Sequence, residues 1–262
     1  MSLIVMAVYS TEENQKDQYL SRTLESLEKT VDFSKHRLIL SVNSYTPVTQ
    51  LIFRNYRDII SDIIWNDKNL GTAEAINKGW RKRKLDENAI KMDDDVVIHE
   101  KGWADLMDNI CNNNRFIGQV GLKRPDLIEN PNHADSFYRS QMIEYFLSDG
   151  KIILEKCHHI MGTCVMHSDN LLNEIGYMWQ PALYGFDDSL MSLRSELAGY
   201  NNCFIPNIEI EHIDEGQTPF QTWKHGEADI YLKQDNQGIS IYKTIVQEYK
   251  LEKRPIHYNP FI

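Results

Sequence analysis

Three adjacent carboxylates, Asp93-Asp94-Asp95, follow the short apolar run Ala89 to Met92 (AIKM). Side by side in a folded chain they repel one another and are costly to bury unless a cation compensates them. Oxygen ligands in small number, with no thiolate or histidine pair beside them, suit Mg²⁺ or Mn²⁺ completed by water and substrate phosphates. If the strand runs on through the triplet, its middle member points away from the other two, leaving Asp93 and Asp95 to share one site. A solvated acidic turn is the alternative. An EF-hand is disfavoured because the D-x-[DN]-x-[DN]-G spacing is absent.

A second acidic pair lies in Tyr184-Gly185-Phe186-Asp187-Asp188, just before a helical stripe of Leu190, Leu193 and Leu197. Two acids opening a helix complement its dipole, and one of them at the mouth of a cleft could also act as a general base. Asn69-Leu70-Gly71-Thr72, with Asn77-Lys78-Gly79 beyond, puts a glycine and a hydroxyl at another helix start, where free N–H groups can hold a phosphate or simply be capped. His212 closes the run Ile208 to Glu211 and precedes Gly216, so it is either structural or turned toward a cleft. His158-His159 are adjacent on a strand and point to opposite faces, which argues against a metal pair. Arg81 to Lys84 reads as a solvated helix end, and Trp223 and Tyr231 as core aromatics or a sugar-stacking wall.

These residues need a scaffold, and the hydrophobic periodicity supplies one. Leu3 to Tyr9 is a continuous apolar run suited to a central strand covered on both faces. Leu20, Leu24, Leu27 and Val31 form an amphipathic helix stripe. Strands at Arg37 to Val42 and Ile60 to Trp65 bracket a helix opened by Pro47, in which Leu51, Ile52 and Tyr56 share a face, and a helix over Thr72 to Leu85 leads to the strand Ala89 to Met92. The alternation predicts an α/β fold with a mostly parallel sheet, whose ligands bind outside the carboxyl ends of the strands. Ser10, Asn43, Asn66 and the acidic triplet fall on that edge. Beyond it the pattern predicts a helix at Trp103 to Cys111, strands at Gly118 to Leu122, Lys151 to Glu155 and Ile160 to Met166, and helices at Ser168 to Ile175 and Ser189 to Leu197. Strands at Cys203 to Ile205 and Ile208 to Glu211 follow, then a polar, aromatic extension with helices at Gln221 to Lys233 and Ser240 to Lys250. We expect one domain over 1–216, divided near 115 into two parts, with 217–262 as a helical extension packed on it.

The chain has 262 residues, 42% of them hydrophobic and 25% charged, the balance of an ordinary globular protein. Its net charge of -10 disfavours nucleic acid as a partner. Four cysteines without a C-x-x-C pair are too few for a disulfide framework and fit a reducing compartment. The apolar N-terminal stretch is too short for a signal peptide or a membrane span. The expectation is a cytoplasmic protein with at most peripheral contact at the inner membrane surface.

Taken in order, the first strand into Tyr9-Ser10, NLGTAEAINKG at 69–79, MDDDV at 92–96, IMGTCVMHSDNLLNEIG at 160–176, YGFDDSLMSLRSELAGY at 184–200 and IEIEHIDEG at 208–216 resemble the inverting glycosyltransferases of family two, enzymes of the GT-A fold. The resemblance covers roughly Leu3 to Gly216. It implies a nucleotide-diphospho-sugar donor, a glycan or lipid-linked acceptor, and Mn²⁺ or Mg²⁺ held by Asp93, Asp95 and His212. It implies donor contacts from Tyr9, Ser10, Asn43, Asn69, Gly71, Thr72, Asn77, Asp93, Asp94, Gly162 and Thr163. Asp187 and Asp188 match the family's acidic pair, with Asp188 in the position of the base. Tyr184, Trp223 and the loop around His133 are expected to shape the acceptor pocket.

The sequence also departs from the family pattern. The aspartate that usually reads the nucleobase is replaced by Asn43-Ser44, the first acid of the pair is Asp187 rather than Glu, and the further acid two residues after the second is Leu190. The Q-x-x-R-W motif of processive members is absent, which points to transfer of single sugars. A sugar-nucleotide pyrophosphorylase is the rival on a similar sheet, but it shows a basic glycine-rich loop after the first strand where this chain has Ser10-Thr11-Glu12-Glu13. A non-catalytic nucleotide-sugar or glycan-binding protein of the same fold is the other.

Overall fold

Alternate residues of strand β1 (Ser2–Tyr9) enter two different hydrophobic clusters. Ile4, Met6 and Val8 pack with Leu20, Leu24 and Leu27 of helix α1 (Asp17–Thr30), while Leu3 and Val5 pack with Ala73, Ile76 and Trp80 of α3 (Gly71–Trp80). All three α1 leucines are fully buried, each worth roughly 1.5–3 kcal/mol of transfer free energy, so the i, i+4, i+7 stripe is what seats the helix. A strand covered on both faces has no polar side to alternate with, which accounts for the unbroken apolar run. The computed structural model describes residues 1–124, 141–214 and 219–262.

The first half follows the predicted order, with one short strand added after the acidic triplet. It runs β1, α1, β2 (Arg37–Ser44), α2 (Pro47–Asn55), β3 (Ile60–Trp65), α3, β4 (Asn88–Met92), β5 (Val96–Ile98), α4 (Trp103–Asn113) and β6 (Ile117–Lys123). The second half is β7 (Gln141–Leu147), β8 (Gly150–Cys157), β9 (Cys164–His167), α5 (Asp169–Ile175), α6 (Asp187–Leu197), β10 (Asn201–His212), α7 (Pro219–Leu232) and α8 (Ile241–Lys250). The sheet order is β3-β2-β1-β4-β9-β6-β10-β8-β7, with β5 paired to β10. Strands β3, β2, β1 and β4 are mutually parallel, and β9 enters antiparallel between β4 and β6, so the expected α/β sheet is present with a mixed second half.

Several boundaries differ from expectation for local reasons. Helix α3 stops at Trp80 instead of Leu85, whose side chain is exposed: Arg83 is drawn off to Asp169 and the carbonyl of Glu87, and Lys82 to Asp62. The basic run is thus ion-paired at two positions. In α2 the buried face is Thr49, Ile52 and Phe53, and Leu51 points outward. The two strands expected within 203–211 are one, β10, whose register against β6 jumps between Ile205 and Glu209. Strand β7 pairs with β8 and leaves Met142 and Phe146 exposed, which hides the hydrophobic signature of a strand. The four cysteines are buried free thiols. No helix among the described residues is long and apolar enough to cross a membrane.

The C-terminal segment is tied to the sheet domain by Arg194 of α6, a fully buried guanidinium. Its Nε donates to the carbonyl of Ile256 (2.6 Å), Nη1 to that of Tyr177 (2.7 Å) and Nη2 to that of Ile175. Burial lowers its pKa to about 10. Above it, Ile245 and Tyr249 of α8 pack on Leu190. Arg194→Met removes the donor to the carbonyls of Ile256 and Tyr177, while that of Ile175 keeps the Tyr258 N–H (2.9 Å), so we expect it to lower stability by roughly 2–4 kcal/mol in urea unfolding and to open residues 251–262 to limited proteolysis.

Candidate active site

The carboxyl ends of β1, β2 and β4 face a cavity of about 420 Å³. The acidic triplet stands at its floor, and it is not a strand end. Strand β4 stops at Met92 and β5 starts at Val96, so Asp93 to Asp95 form the turn between them. The turn is held from three sides. Asp93 N–H donates to the carbonyl of Thr163 (3.0 Å) and Ile213 N–H to that of Asp95 (2.9 Å), while Thr23 Oγ1 of α1 donates to the carbonyl of Asp94 (3.1 Å).

Because a turn lacks the two-sided alternation of a strand, Asp94 does not face away from its neighbours as expected. Asp94 and Asp95 both reach the ammonium of Lys16, at 3.3 and 2.7 Å, and Asp214 approaches it at 3.6 Å. Asp93 and Asp95 do converge, and His212 joins them, one ligand-capable atom from each lying within 4.8 Å of the others. The antiparallel register of β5 on β10 pairs Val96 with His212 and brings Nε2 to 3.4 Å from Asp95 Oδ1. That oxygen is buried and accepts no hydrogen bond among the described residues. A bare carboxylate oxygen facing a second carboxylate and an imidazole fits a divalent cation. Burial pushes the Asp95 carboxyl up, but Lys16 and His212 outweigh it and bring it down to about 2. At Asp94 burial wins over Lys16, and the carboxyl is raised.

Across the cavity, Gly185 (φ +90°) and Phe186 (φ +67°) are both left-handed, and this sharp turn points Asp187 and Asp188, the first residues of α6, back at the triplet. A left-handed phenylalanine is strained, and its ring stacks on Tyr242 of α8 with centroids 4.6 Å apart, which holds it there. Asp188 Oδ2 accepts from Gly162 N–H (2.8 Å) and Oδ1 from Ser189 N–H (2.9 Å), with His159 Nε2 at 3.8 Å from Oδ1. Burial would raise the Asp188 carboxyl, but His159, Lys91 and the Gly162 N–H hold it well below the carboxylate range. Asp187 goes the other way, because burial exceeds the attraction of Lys91.

Lys91 lies between the two acidic groups, its Nζ 3.3 Å from Asp93 Oδ1 and 3.5 Å from Asp187 Oδ2. On the third side of the cavity are Tyr9, Asn43, Asn69, Gly71 and Thr72. Asn43 Oδ1 accepts from Leu70 N–H (3.2 Å) and Asn66 Nδ2 (3.1 Å), and its Nδ2 donates to the carbonyl of Gly71 (3.2 Å), so this side chain braces the entrance to α3. Helix α7 brings Trp223, Lys224 and His225 over the opening, with Lys224 Nζ 5.0 Å from the ring of Tyr184.

Of the predicted residues, Asp93, Asp94, Asp95, Asp187, Asp188, His212, Gly162, Thr163, Tyr9, Asn43, Asn69, Gly71 and Thr72 line this cavity, as do Tyr184 and Trp223. Two do not. Asn77 is buried and exchanges hydrogen bonds with the main chain of Met178 (2.8 and 3.0 Å), and Ser10 donates its N–H to the carbonyl of Ser44 (3.1 Å). Tyr231 bonds the carbonyl of Pro181 (2.9 Å) and packs edge-on to Phe186, a core role. His133 lies outside the described residues. Lys16, Lys91, His159, Asp214 and Lys224 were not foreseen. A signal existed for Lys91, a charge inside an otherwise apolar run directly ahead of three aspartates.

The sequence matches the description Glycosyl transferase family 2 over residues 4–176. A search of curated protein sequences finds no match. Among solved structures, the mannosyltransferase PcManGT from Pyrobaculum calidifontis, in complex with GDP-Man and Mn²⁺, is 13% identical with a TM-score of 0.60, over 95% of this chain and 68% of that one. S. aureus TarS 1-349 in complex with UDP-GlcNAc is 15% identical with a TM-score of 0.58, over 82% of this chain and 61% of that one. GalNAc-T7 with UDP, GalNAc and Mn²⁺ is 14% identical with a TM-score of 0.58, over 80% of this chain and 43% of that one. These likenesses carry the GT-A fold, and the family match spans well over half of the residues. The chain therefore belongs to glycosyl transferase family 2.

Proposed function

We propose that the protein transfers a single sugar, with inversion, from a UDP-sugar to a hydroxyl of a glycan or lipid-linked acceptor in a reaction that depends on Mn²⁺ or Mg²⁺. The observation that carries this reading is the meeting of Asp93, Asp95 and His212 on one wall of a cavity whose other wall presents Asp187 and Asp188. The uridine assignment follows the UDP complexes of TarS and GalNAc-T7. Mn²⁺ accompanies the nucleotide or nucleotide sugar in PcManGT and GalNAc-T7.

Asp93, Asp95 and His212 would hold the metal, whose charge stabilises the leaving diphosphate. Tyr9, Asn69 and Thr72 border the nucleotide side, and Gly162-Thr163 form the floor beneath the donor sugar. A side chain at 162 would intrude there, since its Cβ would come within 2.5 Å of Lys91 Nζ and 3.0 Å of Asp188 Cβ. Asp188 is the base. Its side chain keeps 24% exposure against 9% for Asp187, so it is the carboxylate an incoming hydroxyl can reach, and its low pKa keeps it ionised at neutral pH. As the acceptor oxygen attacks the anomeric carbon from the face opposite the diphosphate, Asp188 Oδ takes the hydroxyl proton, and one displacement inverts the centre. The segment 217–262 serves as an acceptor wall, with Trp223, Lys224 and His225 at the opening.

With the acceptor identified by mass spectrometry of a pooled donor and acceptor screen, Asp188→Asn should lower kcat by roughly 10² to 10⁴-fold with UDP affinity almost unchanged. Near-normal kcat in Asp188→Asn alongside an inactive Asp187→Asn would move the base to Asp187. Calorimetric titration of UDP should show affinity in Mn²⁺ that is lost in EDTA or in Asp95→Asn; equal affinity throughout would remove the metal from the proposal. Gly162→Ala should fold and weaken donor binding about tenfold, the scale of a 1–3 kcal/mol overpacking penalty.

A further inference from the structure

Strand β4 is central and every residue of it is buried, yet it contains a lysine. Lys91 is 4% exposed, its neighbours Ile90 and Met92 are fully buried, and its ammonium ends midway between the two acidic groups of the cavity. The chain makes room for it: the Cβ of any residue other than glycine at 162 would sit 2.5 Å from Nζ. On one side is Asp93 Oδ1 at 3.3 Å, on the other Asp187 Oδ2 at 3.5 Å. Asp187 Oδ2 is buried and accepts no hydrogen bond among the described residues, so the charge of Lys91 is what faces it.

We propose that Lys91 is a positioning residue that couples the metal-binding wall to the acceptor-activating wall, its single ammonium being shared between Asp93 and Asp187. This rests on the reading of Asp93 as a metal ligand. With a divalent cation held beside Asp93, Lys91 would lose its share of that carboxylate, and its ammonium would compensate Asp187 alone. Loading of the metal is thereby felt at the neighbour of the base, without any movement of the backbone. The coupling is reciprocal, so the state of Asp187 sets how firmly Lys91 holds Asp93 and hence how readily the metal is taken up.

The test is a double-mutant cycle on the full chain, with Mn²⁺ alone as the probe in calorimetry and urea unfolding as a second readout. Lys91→Met should bind Mn²⁺ roughly five- to fiftyfold tighter than wild type, because a unit charge a few ångströms from the ion is gone, while Lys91→Arg should stay near wild type. Asp187→Asn should weaken Mn²⁺ binding about threefold or more when Lys91 is present, since the ammonium then turns wholly to Asp93, and clearly less in the Lys91→Met background. In urea, Lys91→Met with Asp187→Asn should be more stable than Lys91→Met alone, and folding of the double variant where the single one fails counts the same way. Equal Mn²⁺ affinity of Lys91→Met and wild type, additive effects of the two substitutions, or a double variant no more stable than Lys91→Met would each overturn the coupling. Wild-type protein that takes up no Mn²⁺ would instead remove the metal assignment itself, and the metal half of the coupling with it, while the urea cycle still reports the link between Lys91 and Asp187.

Discussion

Six carboxylates, Asp93, Asp94, Asp95, Asp187, Asp188 and Asp214, line one cavity of a protein that already carries a net charge of -10. Confined to a low-dielectric end of the sheet, they would either take up protons or push the loops apart. Two buried ammonium groups oppose this. Lys16 serves Asp94, Asp95 and Asp214, and Lys91 serves Asp93 and Asp187. Both lysines are raised above their ordinary pKa even though burial alone would lower them, because the attraction of the surrounding carboxylates exceeds the loss of hydration. The rest of the site follows from this balance. With Asp95 Oδ2 on Lys16 and Asp93 Oδ1 near Lys91, the buried oxygen of the triplet left without a hydrogen bond among the described residues is Asp95 Oδ1, the one that looks toward His212.

The scaffold brings these charges together by register. Antiparallel pairing of the three-residue β5 with the far end of β10 puts His212 beside the acidic turn, more than a hundred residues away in sequence. Antiparallel β9, beside β4, leads back from Gly162-Thr163, which anchors the same turn through the Asp93 N–H. Each pairing rests on a short strand, three residues in β5 and four in β9. Both depend on the buried frame of β1, α1 and α3 that fixes where β4 ends.

Much of this was legible in the sequence. Continuous apolar runs and the leucine stripe of α1 determine the parallel half, and the acidic turn, the pair at 187–188 and His212 declared themselves by residue type and order. What stayed hidden has physical causes. Strand β7 carries Met142 and Phe146 on its exposed face, so its alternation is blurred. The end of α3 is decided by ion pairs of Lys82 and Arg83 with Asp62 and Asp169, partners that only the folded chain brings near. Lys16 sits at the start of α1 with nothing local to mark it. Its role exists only because Asp94, Asp95 and Asp214 arrive from two other parts of the chain.

The stacking of Phe186 on Tyr242 has a consequence for how such an enzyme can diverge. Phe186, directly before Asp187 and Asp188, is held in a left-handed conformation by a ring more than fifty positions downstream, and both residues lie outside the portion matched by the family description. The C-terminal helices are therefore not a freely exchangeable appendage. A lineage or an engineer that trades this segment for another inherits a turn before Asp187 and Asp188 whose support has been removed, and must bring along a replacement aromatic at the height of Tyr242. Variation at the two positions is expected to be locked together, ring for ring, even where the rest of the extension drifts.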